Sequence, residues 1–530
     1  MKENLSNNTS VKLVLGAIFA IIVAFYTNSL IGETLNGGFL ILAAVFGAYM
    51  AMNIGANDVA NNVGPAVGAG AITIGGAIII ASIFEVSGAL IAGGDVVGTI
   101  KKGIIDPAAF GGDPITFVYA MSAALLAAAL WLNIATWLKA PVSTTHSIVG
   151  GVMGGGIAAG GFGIVSWLTM GKIAASWIIS PVLGAVIAAG FLYIIKTQIV
   201  YKKNMKDAAK KIIPILVAVM ATAFITYLTL KGFKKVWPLI VDVLSFLPDT
   251  KKPTFIVALI LGSIGGLITY IIVKPRIVKK VEVLSNGRDA INVLFNIPLI
   301  FAAILLSFAH GANDVANAVG PLAAVYDALT NLSISAKASI PLWVMVVGGG
   351  GIAVGLALFG PRLIKTVGSE ITELDQMRSF SIMMAAAITV IIASQLGLPV
   401  SSTHIAIGGL FGVGFLREYL DKNPIDPNEA EEKYQLHMVK IEELEKRRKV
   451  LKAQSNKSIS DFKELLDLEE KAEKRAKKAE TKEAFLEELK NKKHVAREQV
   501  RKIVAAWIIT VPVAAALSAA IFFIFVGVNA

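Results

Sequence analysis

The hydrophobic positions of this chain are grouped in long runs with few polar interruptions, not in the one-sided stripe of a soluble helix. Many of the runs approach the roughly 20 residues that a helix needs to cross a bilayer. The pattern predicts an all-α polytopic membrane protein and disfavours a soluble protein with many buried helices. The clearest runs are residues 11–32, 38–52, 72–92, 117–138, 212–230, 255–273, 297–308, 341–360, 381–396 and 503–526.

The first run, residues 11–32, lies close enough to the N-terminus to be compared with a signal peptide. A signal peptide has an apolar core of about 7–15 residues, followed by a cleavage site of small residues. The run is longer than that core, and no A-x-A-like site follows it. We therefore expect it to be retained as the first membrane span.

The composition supports a membrane protein. Hydrophobic residues make up 55% of the 530 positions, and the mean hydropathy of +0.69 is too high for a soluble globular chain. The chain has no cysteine, which excludes disulfide bonds but does not indicate a cellular compartment.

The formal net charge of +12 is distributed unevenly. Lysine and arginine are concentrated in the loops at residues 196–211 and 274–288. Short basic loops mark the cytoplasmic side of a membrane protein, and this explanation suffices, so we expect no nucleic-acid partner. The loop at residues 231–252 also contains several lysines and weakens the contrast between the two sides.

Three segments of the chain occur twice in the same order. The copies of the first two segments lie 256 and 258 residues apart, and the first differs only at Asn62 and Ala318. Three ordered matches indicate an internal duplication, with two extra spans between the halves. The matched segments are GANDVANNVGP (55–65) with GANDVANAVGP (311–321), PVSTTHSIVGG (141–151) with PVSSTHIAIGG (399–409), and more weakly KIAASWIIS (172–180) with KIVAAWIIT (502–510).

The two basic loops predict the relative orientation of the repeats. The first repeat ends at the loop 196–211, and the second begins after the loop 274–288. If both loops are cytoplasmic, each repeat contains an odd number of crossings and the repeats have inverted topology. Inverted repeats are a common plan of secondary transporters. Parallel repeats remain possible if a span is miscounted.

These patterns predict a division of the chain into six parts. The predicted parts are an N-terminal extra transmembrane helix (1–37), transport repeat 1 (38–200), a two-helix linker (201–290), the main part of transport repeat 2 (291–416), a charged helical insertion (417–502) and the last transmembrane helix of repeat 2 (503–530).

The insertion at 417–502 differs in composition from the rest of the chain. About half of its residues are charged, and opposite charges often stand three or four positions apart, which favours helix. We expect a helical hairpin or short coiled coil in the cytoplasm. It serves either as a solvated spacer or dimerisation element, or as a regulatory, partner-binding arm.

Two acidic residues, Asp58 and Asp314, lie deep in apolar sequence. An ionisable side chain at membrane depth indicates a functional site that faces a cavity or a partner. Amide side chains flank both, and oxygens at i and i+3 share one face of a helical turn. Such hard oxygen ligands suit a small hard cation, and we expect the following Gly-Pro to break the helix and free carbonyl ligands. The alternative is a structural Asp–Asn network. The six predicted ligands are Asn57, Asp58, Asn61, Asn313, Asp314 and Asn317.

Each PVS(T/S)TH segment places three hydroxyl residues at the predicted start of a helix, after Pro141 or Pro399. A helix N-terminus exposes unpaired N–H groups and the positive end of the dipole, so it can bind an anion. Simple N-capping would require only one hydroxyl. Three in both halves predict the two walls of an anion site, formed by Ser143, Thr144, Thr145, Ser401, Ser402 and Thr403.

The two kinds of motif together indicate an anion that binds with cations. Neither motif contains lysine or arginine, and the carboxylates of Asp58 and Asp314 would repel an anion unless cations stood between them. Phosphate keeps a proton at neutral pH and can donate it to a carboxylate. Sulfate would leave that acceptor unpaired, at a cost of about 1–3 kcal/mol. Phosphate is therefore favoured, with both aspartates among its contacts.

The GANDVAN and PVS(T/S)TH segments resemble the signature of the inorganic phosphate transporter family, the Pit/PiT sodium- or proton-coupled permeases. The resemblance covers residues 38–416 and 503–526, and the GANDVAN form is similar to the sodium-coupled branch. It implies a cell-membrane symporter, not an enzyme, with phosphate at the hydroxyl tips of two re-entrant hairpins and sodium near the Asp–Asn pairs. It also implies a homodimer, with no cofactor beyond sodium as the coupling ion.

Some positions depart from the family pattern or from the repeat symmetry. Sodium-coupled relatives often have glutamate where this chain has Gly98 and Met383. Glu85 lies in an apolar span and has no acidic equivalent in repeat 2, so it is a further sodium or proton site or a structural carboxylate. Thr136 and Ser394 precede the two prolines at matching positions and are weaker candidate oxygen donors.

Three other functions remain to be separated from sodium–phosphate symport. The first is a proton-coupled phosphate permease or a permease for sulfate or another oxyanion. The second is an intramembrane hydrolase that uses Ser143, His146 and Asp58, although a hydrolase does not need two matched sites. The third is a nutrient sensor that binds without transporting, with the insertion as its output arm.

Overall fold

The computed structural model describes the chain as an assembly of helices. In the residues described, the only β pairing is an isolated antiparallel bridge between Ile105 and Val165. The prediction of an all-α fold is confirmed. The described residues are 9–31, 37–110, 113–137, 142–234, 236–244, 247–331, 340–370, 374–423, 429–453, 459–478, 487, 495 and 497–529.

The α-helices are numbered here in chain order, and short 3₁₀ and π segments are left unnumbered. They are α1 Thr9–Ile31, α2 Gly37–Asn57, α3 Val59–Gly68, α4 Ile74–Ala92, α5 Gly94–Lys102, α6 Pro114–Trp137, α7 Thr144–Gly160, α8 Trp167–Ile195, α9 Met205–Gly232, α10 Trp237–Val243, α11 Phe255–Glu282, α12 Arg288–Asn292, α13 Asn296–Asn331, α14 Leu342–Glu370, α15 Gln376–Gln395, α16 Ser402–Lys422, α17 Glu429–Ala453, α18 Ile459–Lys478 and α19 Arg497–Asn529.

Eleven segments in the described ranges are long and apolar enough to cross a bilayer. They confirm the prediction of a polytopic membrane protein. The segment at α8 continues to Val200 and was not among the clearest runs of the sequence. The eleven segments correspond to α1, α2 with α3, α4, α6, α8, α9, α11, α12 with α13, α14, α15 and α19.

Helices α6 and α7 form a hairpin, here called hairpin 1. Gly151 and Gly155 of α7 face the backbone of Ala124 and Ala120 of α6 so closely that a Cβ would lie 2.9 and 2.7 Å from the carbonyl oxygens. At the base of the hairpin, the chain before α6 bonds to the chain after α7, with Ser166 N donating to Ile104 O at 2.9 Å. The two ends of hairpin 1 therefore lie side by side. Pro141, predicted to end the segment before α7, lies outside the described residues.

Helices α15 and α16 form the matching pair in the second half, here called hairpin 2. Helix α15 ends at Gln395, and the turn that follows contains Gly397 with φ +67°, a conformation that favours glycine. Helix α16 begins at Ser402, after residues 398–401, which have no regular secondary structure. Both hydroxyl runs thus lie at helix N-termini, as expected.

Helices α8 and α19, which contain the weaker third repeated segment, each pack against a hairpin of the other half. Gly408 and Gly412 of α16 approach the backbone of α8, while Gly150 and Gly154 of α7 approach that of α19. A Cβ added at Gly154 would lie 2.1 Å from a carbonyl oxygen, and one added at Gly412 would lie 2.0 Å from another. Small residues allow this close approach between membrane helices. Each hairpin therefore packs against a helix of the other repeat.

The prediction that the Gly-Pro pairs break their helices is wrong. Pro65 lies inside α3 and Pro321 inside α13, and both helices continue past the proline. In the first half the interruption occurs at Asp58, between α2 and α3. In the second half α13 runs without interruption from Asn296 to Asn331, because a proline can be accommodated in a membrane helix when neighbouring groups satisfy the freed carbonyl.

Residues 414–496 form a compact unit of their own, and the rest of the chain forms another. Within the smaller unit, α17 and α18 are joined by ion pairs between Arg447 and Glu464 at 2.9 Å and between Lys452 and Glu469 at 2.6 Å. Parts of the predicted insertion, including residues 424–428, 454–458 and 479–486, lie outside the described residues.

Candidate functional site

The two Asn-Asp motifs and the two hydroxyl runs meet in one buried cluster. Asp58, at the junction of α2 and α3, accepts hydrogen bonds from Thr144 Oγ1 at 2.5 Å and from Thr403 Oγ1 at 3.2 Å. One donor belongs to hairpin 1 and the other to hairpin 2. The carboxylate of repeat 1 therefore binds both hairpin tips.

The asparagines of the motifs bind the hairpin of the opposite repeat. Asn61 Nδ2 donates to Thr403 Oγ1 at 2.8 Å, and Asn317 Nδ2 donates to Thr145 Oγ1 at 3.1 Å. These two pairs are equivalent under the internal repeat. Thr145 Oγ1 in turn donates to Val400 O at 2.9 Å, which joins the two tips directly.

The first hydroxyl of each run is an N-cap. Ser143 Oγ accepts from His146 N at 3.2 Å, and Ser401 Oγ accepts from His404 N at 3.3 Å. A hydroxyl that accepts a backbone hydrogen bond can still donate its own hydrogen. Ser402 Oγ is buried and has no hydrogen-bond partner among the described residues. The tips therefore keep donor capacity.

The second aspartate, Asp314, lies in a chain of buried polar groups whose contacts were not predicted from the sequence. His310 forms a hydrogen bond through Nδ1 with Glu85 Oε2 at 2.7 Å. Its Nε2 lies 3.0 Å from Asp314 Oδ2, at ion-pair distance but without the geometry of a hydrogen bond. Asn62 Nδ2 donates to the other oxygen of Glu85 at 2.8 Å. All four side chains are buried. Glu85 is thus part of the site region and lies next to Asp314 through His310.

His310 was not predicted as a site residue, although the repeats contain a signal for it. It directly precedes the second GANDVAN, where the first copy has Ile54. Asn62, its neighbour through Glu85, stands where the second copy has Ala318. Glu85, which also breaks the repeat symmetry, therefore contacts both of these side chains. Position-by-position comparison of the repeats would have indicated them.

The acidic and imidazole groups are close enough to share a cation. Asp58, His310 and Asp314 each place one potential ligand atom within 4.8 Å of the others. Two buried carboxylates at this separation repel each other unless a proton or cation lies between them. Both carboxylate oxygens of Asp314 and Oδ1 of Asn317 have no hydrogen-bond partner among the described residues. These orphaned acceptors suit a hard cation.

The remaining predicted residues pair with each other at the sides of the cluster. Thr136 Oγ1 donates to Asn57 Oδ1 at 2.9 Å, and Asn313 Nδ2 donates to Ser394 Oγ at 3.0 Å. These pairs are again equivalent under the repeat. In each half, the first asparagine of the motif therefore fastens the end of the helix that precedes the hairpin turn.

The two sides of the cluster differ in exposure. Asn57 and Asn61 are partly exposed and Thr136 is exposed, whereas Asn313, Asn317 and Ser394 are each 1% exposed. The first-half side of the site is therefore open and the second-half side is closed.

Behind the tips, aromatic rings support the start of each hairpin helix. His146 packs on Trp177 of α8 with ring centroids 3.8 Å apart, and His404 stacks on Trp507 of α19 at 3.6 Å. The two imidazoles meet edge to face at 4.5 Å. The supporting tryptophans come from the third repeated segment, so all three repeated segments converge on this region.

A bundle of membrane helices with a buried polar site between the tips of two hairpins is typical of transporters. The repeated motifs indicate the family of transporters to which the chain belongs. The model of the phosphate transporter family matches residues 54–518, and the chain belongs to this family. The expected family membership is confirmed, and the protein is a transporter and not an enzyme.

Relatives and a solved structure share most of the chain. A protein of Helicobacter pylori strain J99, described as a candidate phosphate permease, is 46% identical over 98% of this chain and 95% of its own length. One from Pyrococcus horikoshii with the same description is 40% identical over 71% of this chain and 89% of its own. A solved structure of a protein described as the sodium-dependent phosphate transporter has a TM-score of 0.71 at 31% identity, covering 92% of this chain and 99% of the other.

Proposed function

We propose that the protein is a symporter that moves inorganic phosphate across the cell membrane together with sodium. The observation that carries this proposal is the convergence of uncharged donors on the carboxylate of Asp58. Thr144 and Thr403, from two different helix N-termini, both donate to Asp58. An anion with its own proton and several acceptor oxygens can replace these contacts in part and join the two tips.

The phosphate would lie between the starts of α7 and α16. There, free N–H groups and the positive ends of two helix dipoles favour an anion. Hydroxyl hydrogens of Ser143, Thr144 and Thr145 would complete one wall, and those of Ser401, Ser402 and Thr403 the other. A phosphate oxygen that carries a proton can donate to Asp58 or Asp314. Sulfate lacks that proton at neutral pH, and for this reason phosphate is the proposed substrate.

The sodium ions would lie at the Asn-Asp motifs. A phosphate between Asp58 and Asp314 needs positive charge beside it, because buried anions without counter-charge are strongly unfavourable. The carboxylate oxygens of Asp58 and Asp314 and the amide oxygens of their flanking asparagines are hard ligands suited to sodium. The structural relative is described as sodium-dependent, which supports the same coupling here.

A proton-coupled phosphate carrier is the second candidate, and a specific contact favours it. His310 joins Glu85 to Asp314, so the second half of the site holds an imidazole between two carboxylates. This group can hold a proton next to the place proposed for sodium. The first half has Ile54 at the equivalent position.

We further propose that the two repeats, residues 38–200 and 291–416 with 503–530, are inverted. The basic loops before α9 and after α11 contact each other, with Asn286 Nδ2 donating to Lys203 O at 2.9 Å. Hairpin 2 begins on this side, because Arg288 pairs with Asp375 at 2.9 Å. The base of hairpin 1 follows α5, which contacts the opposite end of α9 through Asp95. The two hairpins thus enter from opposite sides. From the charge pattern of the sequence, we also propose that the insertion 417–502 is cytoplasmic.

Uptake of radiolabelled phosphate into proteoliposomes, with sodium and proton gradients imposed separately, tests the function. We expect a sodium gradient alone to drive uptake and excess sulfate to compete poorly. Uptake driven only by a proton gradient would support the proton-coupled phosphate carrier instead. Binding without uptake under either gradient would indicate a sensor. Cross-linking in the bilayer tests the homodimer that the family resemblance implies.

A further inference from the structure

Lys231 is a buried cation near the site that belongs to neither repeat. It lies one residue before the end of α9, in the linker 201–290, and its side chain is 5% exposed. Its ammonium group bonds to Asp95 of α5, and it also donates to Ser394 O at 3.2 Å. A lysine held inside a membrane protein is costly unless paired, and this one is paired with a carboxylate and a carbonyl.

The carbonyl that Lys231 binds is at the end of α15, where the turn of hairpin 2 begins. The last carbonyls of a helix have no partner within the helix, and the negative end of the dipole attracts a cation. In the same turn, Thr99 Oγ1 of α5 donates to Gly397 O at 2.7 Å. Lys231, from the linker, and Thr99, from repeat 1, therefore each bind a carbonyl of this turn in repeat 2.

The inner side of the same turn is bound to the site. Ser394 Oγ accepts from Asn313, whose Nδ2 also donates to Leu398 O at 3.2 Å and whose Oδ1 accepts from Val400 N at 3.4 Å. The turn at residues 394–400 leads directly into Ser401. A shift of the turn would therefore move the hydroxyls of α16 relative to Asn313.

Hairpin 1 has no equivalent support in the sequence. Because Lys231 lies outside both repeats, the duplication supplies no second copy of it. At 256–258 residues beyond Asp95 and Thr99, the chain has only apolar residues, at 351–353 and 355–357. This asymmetry matches the exposure of the site, since Ser394 is 1% exposed and its equivalent Thr136 is exposed.

We propose that Lys231 is a positioning residue that holds the turn of hairpin 2 over the second-half side of the site and so closes that side. The inference rests on the proposed function, which makes residues 401–403 a wall of the phosphate site. Helix α9 crosses from the basic loop to Lys231, so the closed side is the outer one. Opening to the outside requires Lys231 to leave Ser394 O, while its pair with Asp95 can persist.

Thiol labelling tests this directly, because the chain contains no cysteine. Ser394→Cys in whole cells would be treated with a membrane-impermeant maleimide, alone and combined with Lys231→Met. Loss of a charge-assisted hydrogen bond from the closed state should increase the labelling rate about tenfold or more. The matched control is Lys234→Met, since Lys234 pairs with Asp95 at 2.9 Å and is half-exposed. That control should leave the labelling rate unchanged.

A second variant keeps the proposal testable if Lys231→Met fails to fold. Thr99→Ala removes an uncharged contact with the same turn, and it should increase labelling of Ser394→Cys in the same direction. Equal labelling rates in Ser394→Cys with and without a folded Lys231→Met or Thr99→Ala would overturn the proposal.

Kinetics separate positioning from a general loss of structure. With the outer side opened, Lys231→Met should lower both the KM for external phosphate and the maximal rate of uptake, because more of the protein is ready to bind outside and less can close again. A lower maximal rate with unchanged KM would contradict the proposal. Failure of the wild-type protein to transport phosphate would instead refute the proposed function, and the labelling result does not depend on transport.

Discussion

Asp58 and Thr403 are separated by 345 positions in the chain, and their side chains are joined by a hydrogen bond of 3.2 Å. The carboxylate comes from repeat 1 and the hydroxyl from hairpin 2. Neither repeat could form this contact alone. Since the same carboxylate also binds Thr144 of hairpin 1, movement of one hairpin tip changes the surroundings of the other. The contact thus gives the proposed symport a physical basis for linking anion and cation binding.

Replacing either aspartate with asparagine should abolish coupled transport. Asp58→Asn and Asp314→Asn keep the shape of the side chain but remove the charge that we propose binds sodium. We expect sodium-driven phosphate uptake in proteoliposomes to fall to background in both. Asp207→Asn, at an exposed aspartate in the first turn of α9, is the control and should transport like the wild type. Wild-type uptake in both site variants would refute the assignment.

Removing the first hydroxyl of a run should weaken phosphate binding. Ser143→Ala and Ser401→Ala each delete an N-cap and a proposed phosphate donor, so we expect a stability loss of about 1 kcal/mol and a higher KM for phosphate. Thr254 is an N-cap of α11, where its Oγ1 accepts from Val257 N at 3.3 Å, away from the site. Thr254→Ala should lose similar stability without changing KM. Equal KM values in all of these variants would assign the serines to capping alone.

His310→Gln should alter the cation dependence of uptake. The variant retains a polar side chain but cannot hold an imidazolium between Glu85 and Asp314. If His310 supplies positive charge beside the sodium site, its removal should let sodium bind more tightly. Half-maximal uptake should then require less sodium and lose most of its dependence on pH. His437→Gln, in the insertion, is the control. An unchanged sodium and pH response in His310→Gln would show that the histidine is structural.

The close packing between the halves should be intolerant of added atoms. A Cβ at Gly154 would lie 2.1 Å from Ala515 O, so Gly154→Ala should destabilise the protein by about 1–3 kcal/mol or more. Gly171 in α8 is the matched control, because a Cβ there meets no atom within 4 Å. Gly171→Ala should be neutral or stabilising, since glycine in a helix is less favourable than alanine. Thermal unfolding in detergent measures both, and an equal Tm would contradict the packing.

Several features of this protein could be predicted from local patterns. Apolar runs of bilayer length predicted the spanning helices, since a chain in hydrocarbon must satisfy its backbone within each helix. The duplicated motifs predicted that Asp58, Asp314 and both hydroxyl runs act together, and the structure brings them into one cluster. The predicted helix breaks at Pro65 and Pro321 were wrong, because a proline's local effect depends on the neighbours that satisfy the freed carbonyl.

The amino-acid sequence by itself determined the all-helical membrane fold, the two repeats and the identity of their polar motifs. Periodicity and hydropathy are properties of residues that are close together in the chain, so they can be recognised from the sequence alone. Only the tertiary structure decided that Asn61 and Asn317 bind the opposite hairpins, that His310 joins Glu85 to Asp314, and that Lys231 reaches Ser394. These contacts join positions far apart in the chain, and their formation depends on how the helices pack.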